Sequence, residues 1–258
     1  MFDDKEKLKK VGGIIVAAVG FIASLITIYT FFIKEPSKPN TKNIDPHLYF
    51  VEYDDFVEVT RYDGSSKTVS IPDFKGEKPV LIIGEGAFKG NTTLKEVWLP
   101  VKLKIINSEA FFGCTSLTTV YFPDSLKSIE DSAFKECTKL SKVSLPVGLE
   151  VLGCGAFSDC SSLTEIVIPG TVETIEQFCF YRCTALESVT IEEGCSYIDP
   201  MAFNSCSKLK YVSIPDSMNL IDNWSFYNCL GLTSVSVPRD CNAIDAFEEN
   251  TTVSRKGK

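Results

Sequence analysis

"SAFKECTKLSKVSLP", residues 132–146, repeats what stands on either side of it. "EAFFGCTSLTTVYFP" at 109–123 and "GAFSDCSSLTEIVIP" at 155–169 carry the same pattern, offset by 23 residues each way. Extended outward, Phe88, Phe111, Phe134, Phe157, Phe180, Phe203 and Phe226 keep that step, and Phe247 follows after 21. Leu94, Leu117, Leu140, Leu163, Leu186, Leu209 and Leu232 keep it too, as do a Val or Ile from Val97 to Val235 and a Cys from Cys114 to Cys229. Asn91 stands where the first Cys would be, and Glu192 where one of the column's prolines would be. A period of 20–29 residues with an L-x-x-Φ-x-Φ core is the pattern of a leucine-rich solenoid. In each "LxxVxLP" the Leu, the Val and the last aliphatic residue point inward and those between point out. "AFxxC" then starts a turn or short helical segment on the opposite side. One coil cannot bury its own Phe and Leu, so coils must stack, and stacking turns each column into a ladder. The expected fold is a repeat solenoid over residues 81–258, with one parallel β-strand per coil.

"IGEGAFKGNTTLKEVWLP" and its successors resemble the BspA-like, Treponema-type leucine-rich repeats found on bacterial surfaces and in some parasitic protists. "TVSIPDFKGEKPVLIIGEGAF" looks like the opening segment of that family. The resemblance covers about residues 50–250 and implies a non-catalytic surface protein that adheres to host or neighbouring-cell proteins.

Both ends of a solenoid expose core and need covering. Residues 46–80 alternate around Asp63-Gly64 and read as a hairpin cap. At the other end Phe247 persists, Val253 reads as a member of the Leu column, and "SRKGK" would blunt an open edge with charge.

The formal net charge of −8 argues against nucleic acid, which demands a basic face. "VGGIIVAAVGFIASLITIYTFFI", residues 11–33, carries no charge. As a helix it would be roughly 34 Å long, enough to cross a bilayer core of about 30 Å. A cleaved signal peptide or a buried core helix are the alternatives, but a signal's apolar region is usually about 7–15 residues. The expected organisation is a cytoplasmic tail over 1–10, a single transmembrane helix over 11–33, a Pro- and Lys-containing spacer over 34–45, and the repeats outside the cell.

Ten cysteines raise the question of metal or disulfides. Six form the repeat column, and Cys195 and Cys241 replace Leu in another, as small hydrophobes do. No C-x₂-C pair occurs, and side chains within one column run parallel, which disfavours bridging. The cysteines are expected to be free, with no metal and no cofactor. The single histidine, His47, sits far from the repeats and lacks the partners of a catalytic group. No catalytic residue is assigned.

Two outward columns flank the Val/Ile ladder: Glu96, Thr119, Lys142, Glu165, Ser188, Tyr211, Ser234, and Trp98, Tyr121, Ser144, Val167, Thr190, Ser213, Ser236. Most are small or polar, as a solvated face should be. Trp98 and Tyr121 stand out, one coil apart. Either they dock a partner, with Glu96, Thr119, Lys142 and Tyr211 around them, or they fill space beneath the cap. The function expected is membrane-tethered binding of a protein or glycan. A structural element of an envelope assembly is the alternative, or a cytoplasm-facing module if the anchor is inverted.

Overall fold

The 23-residue step that aligns the letters also aligns the backbone. In the computed structural model, which describes Lys38 and residues 44–257, about seven coils wind into a β-solenoid with two strand-bearing faces and a third face made of turns. Residues 1–33 and nearly all of the spacer lie outside the described residues, and with them the tail and the transmembrane segment expected there. Among the described residues, no helix is long and apolar enough to cross a membrane.

The first strand face carries the Val/Ile ladder. Thr68–Ser70, Glu96–Trp98 and Thr119–Tyr121 pair in parallel, with Val69, Val97 and Val120 in register. Glu165–Ile168, Ser188–Ile191 and Tyr211–Ser213 form a second run. Ser234–Val237 and Thr252–Arg255 close the series. The second face is built on the aliphatic column: Ile83, Ile106, Ile129 and Leu152 in one ladder, Ile175, Ile198 and Ile221 in the next. Between the faces runs the ring column. From Phe88 to Phe247, successive centroids lie 4.8–5.7 Å apart with ring planes 4–13° from parallel. The seven rings from Phe88 to Phe226 are fully buried, so each coil closes the core of the one before it. Residues Asn40–Lys258 form one compact unit that holds the core of the described residues.

Four points complete or correct these expectations. Of the turn or short helical segment expected at "AFxxC", the structure forms the turn, and no helix occurs among the described residues. Each coil places a left-handed residue just before "AF" (Glu109, Ser132, Gly155, Phe178, Met201, Trp224) and another four residues later (Gly113, Glu136, Asp159, Arg182, Ser205, Asn228). A run of right-handed residues is therefore cut before a helical turn can propagate. Second, one coil lacks its strand: none forms over Lys142–Leu145. One coil earlier Phe122 occupies the position held elsewhere by Leu99, Leu145 or Ile168. Its half-buried ring meets Phe134 edge-on at 5.6 Å.

Third, the hairpin turns at Tyr53–Phe56, not at Asp63-Gly64. β1 (Leu48–Glu52) and β2 (Val57–Tyr62) pair antiparallel, and β2 then pairs in parallel with the strand Lys78–Ile83, so the cap extends the second strand face at its first edge. Tyr62 leans on Phe88 with centroids 5.2 Å apart and ends the ring column. Fourth, Val253 joins the Val/Ile ladder opposite Val235, not the Leu column, and the last strand includes Ser254 and Arg255 of "SRKGK".

Candidate interaction surface

The six column cysteines are buried and free, and each does a job that spacing alone does not reveal. Each Sγ–H donates to the carbonyl of the Phe 26 residues earlier, at 3.1–3.3 Å, tying each coil to the one behind it. Asn91 takes that place in the first coil: its Nδ2 donates to the Gly64 carbonyl while its Oδ1 accepts from the Thr93 and Leu94 amides. Burial pushes the Cys114 thiol up to about 12 and Cys195 up to about 11, so neither is a thiolate at neutral pH. Among the described residues no cluster of three or more His, Cys, Asp or Glu side chains could hold a metal ion.

His47 is exposed on the cap, its Nδ1 3.0 Å from Asp63. Arg61 first and His47 second hold the Asp63 carboxyl below the usual range. An open depression of about 720 Å³ lies at the hairpin ends, lined by Glu52, Asp54, Asp55, Lys75, Glu77 and Lys78. Lys75 pairs with Glu52 across it at 3.3 Å, and Lys78 lies 4.0 Å from the same carboxylate.

On the first strand face, register brings Glu96 beside Thr119 and Trp98 beside Tyr121. The two rings stack at 3.9 Å and 19°. Partial burial first, then the Glu96 carboxylate, raise the Tyr121 hydroxyl above its ordinary value. Trp98, expected on the exposed face, is only 8% exposed. Along the ladder Ser70 flanks it on one side and the Tyr121 ring closes the other. Glu96, Thr119 and Tyr121 are half-buried, and Lys142 is exposed on the coil that forms no strand. Tyr211, 67% exposed, lies four coils from Thr119, roughly 19 Å at about 4.8 Å per strand. The structure thus groups Glu96, Trp98, Thr119 and Tyr121, with Lys142 on the next coil and Tyr211 apart.

Two further exposed rings lie on the turn face, away from the strands. Trp224 is 50% and Tyr227 43% exposed. Phe178 and Tyr181, half-buried, meet edge-on at 5.6 Å two coils away. The signal was present in the letters: the position two before each repeat Phe is Gly86, Glu109, Ser132 and Gly155 in the first coils, then Phe178, Met201 and Trp224.

The chain matches the profile of the BspA type leucine rich repeat region, in six copies, over residues 64–175 and 129–253. No curated protein matches it. Among solved structures it is similar to the T. pallidum leucine-rich repeat protein, at 30% identity and a TM-score of 0.69, over 73% of this chain and 90% of that one. A leucine-rich repeat protein from Bacteroides ovatus has the same fold at 20% identity and a TM-score of 0.58, covering 83% of this chain and 67% of its own. One from Eubacterium ventriosum does so at 18% and 0.54, over 72% and 62%. With its ring column, its strand ladders and this match over most of its length, the chain belongs to the BspA-type leucine-rich repeat family.

Proposed function

We propose that this chain is a non-catalytic interaction protein, tethered to a membrane through residues 11–33 with its repeats on the outer side, and that the solenoid binds a protein or glycan partner. One observation carries the reading. From Cys114 onward the buried columns keep the same Phe, Leu and Cys from coil to coil, while the side chains facing out change at nearly every step. A fold that holds its interior constant and varies its surface carries its information in contacts. The family match supports a role in interaction, and no enzyme family matches. On the first strand face the candidate contacts are Glu96, Thr119 and Tyr121, with Lys142 and Tyr211 further along and Trp98 holding the Tyr121 ring in place.

Two experiments test this. The compact unit 40–258, used as bait without the N-terminal segment, is expected to retain its partner. Co-purification of envelope proteins with the full chain alone would favour a structural scaffold instead. Protease added to intact cells is expected to remove the repeats and leave a membrane-bound stub; complete protection would place the repeats on the cytoplasmic side.

A further inference from the structure

The turns that precede each buried Phe form a second, chemically distinct face in the C-terminal half. Each is a four-residue turn closed by the amide of its fourth residue: Cys179 N–H to the Glu176 carbonyl at 3.2 Å, Ala202 to Asp199 at 3.3 Å, Ser225 to Asp222 at 3.2 Å. The third residue has a positive φ, a place that favours glycine. Gly86 and Gly155 hold it in two coils, and a Cβ there would meet only ordinary contacts. In three successive coils it is instead Phe178 (φ 59°), Met201 (φ 60°) and Trp224 (φ 58°). A bulky side chain in this conformation is strained, and strain of this kind gathers at functional sites. These side chains do not repay it by burial, since Trp224 is half exposed and Phe178 and Met201 are only half-buried.

The first residue of each of the same three turns is a carboxylate: Glu176, Asp199 and Asp222. Among the described residues no Lys or Arg forms an ion pair with any of them. Partial burial, and then the neighbouring Asp199, raise the Glu176 carboxyl above the usual range, as expected where like charges crowd without a cation. The equivalent face of the first coils is different: Lys89 pairs with Glu109 at 2.5 Å and lies 5.1 Å over the Phe112 ring, so charge and ring are both satisfied there.

We infer that the turn face formed by Phe178, Tyr181, Met201, Trp224 and Tyr227, edged by Glu176, Asp199 and Asp222, docks a basic polypeptide segment with interspersed apolar side chains. Apolar groups of the partner cover the rings, while its Lys or Arg side chains answer the row of carboxylates. This deepens the interaction reading above and rests on it.

The test uses the full chain and three labelled 12-residue peptides, followed by anisotropy: alternating Lys and Leu, Glu in place of Lys, and Ser in place of Leu. The Lys–Leu peptide is expected to bind, with the other two at least tenfold weaker. The variant Phe178→Gly/Met201→Gly/Trp224→Gly installs what Gly86 and Gly155 already show the turn accepts. It is expected to melt no lower than the parent and to bind the Lys–Leu peptide at least tenfold more weakly. Glu176→Gln/Asp199→Asn/Asp222→Asn, which keeps every ring, is expected to lose a comparable factor and serves should the glycine variant melt early. Binding by the charge variant within twofold of the parent, or equal binding of the Glu–Leu peptide, would overturn the inference. A partner retained by bait 40–258 carrying the same substitutions would leave the interaction reading standing while this face was ruled out.

Discussion

Phe157 sits between Phe134 and Phe180 at 5.3 and 5.7 Å, its plane 5° and 4° from theirs, and has no exposed surface. Phe157→Ala should therefore cost about 3–5 kcal/mol, since no neighbouring coil can close the gap without breaking its own register. A loss below about 1 kcal/mol in urea unfolding would show that the ring is not in the core. The position of this residue was legible because stacking demands identical residues at a fixed step. The role of Cys160 was not: its Sγ–H acceptor, the Phe134 carbonyl, is 26 residues back and becomes a neighbour only once the coils stack. The thiols also carry a pH dependence. Burial holds Cys195 at about 11 and Cys114 at about 12, against an ordinary value near 9. Below pH 9 both states keep the proton and stability is full. Above it the unfolded thiols ionise while these two do not, so stability falls by about 1.4 kcal/mol per pH unit for each, up to their folded values. Urea unfolding at pH 8, 9.5 and 10.5 should show that decline; a flat profile would mean the thiols are open to water.

Among the elements, the strand missing over Lys142–Leu145 adjoins the one coil whose column carries a ring, and Phe122→Leu is expected to restore it. Slower amide exchange at Val143 and Ser144 in the variant would confirm this, and unchanged exchange would put the cause elsewhere. Such a break is illegible in a repeat alignment, where Phe122 still counts as a hydrophobic match in its column. The cap shows a different limit. Asp63-Gly64 is a strong turn signal, but β2 must pair with both β1 and Lys78–Ile83, and that double pairing places the reversal at Tyr53–Phe56 instead. Trp98 is an element-scale residue in the same sense. Stacked on Tyr121 and nearly buried, it should cost about 3 kcal/mol or more on replacement by Ala, detectable as a lower melting temperature. An unchanged melting temperature would return it to the exposed face.

Over the whole molecule, the repeat made the architecture readable: the period and the core columns follow from the spacing, while the exact build of the two ends does not. The surface was read only where strands were expected, and so the turn face went unseen. Its signal is a departure from the repeat, bulky residues where the column holds glycine, and departures become meaningful once φ is known. The division between a fixed interior and a variable exterior is also what the functional proposal stands on. It is tested most directly by the binding of labelled unit 40–258 to an array of cell-surface ectodomains and glycans, read as saturation curves with unlabelled unit as competitor. Saturable, competed binding to a defined subset of features is expected. Signal that neither saturates nor competes on any feature would contradict an interaction role for the solenoid.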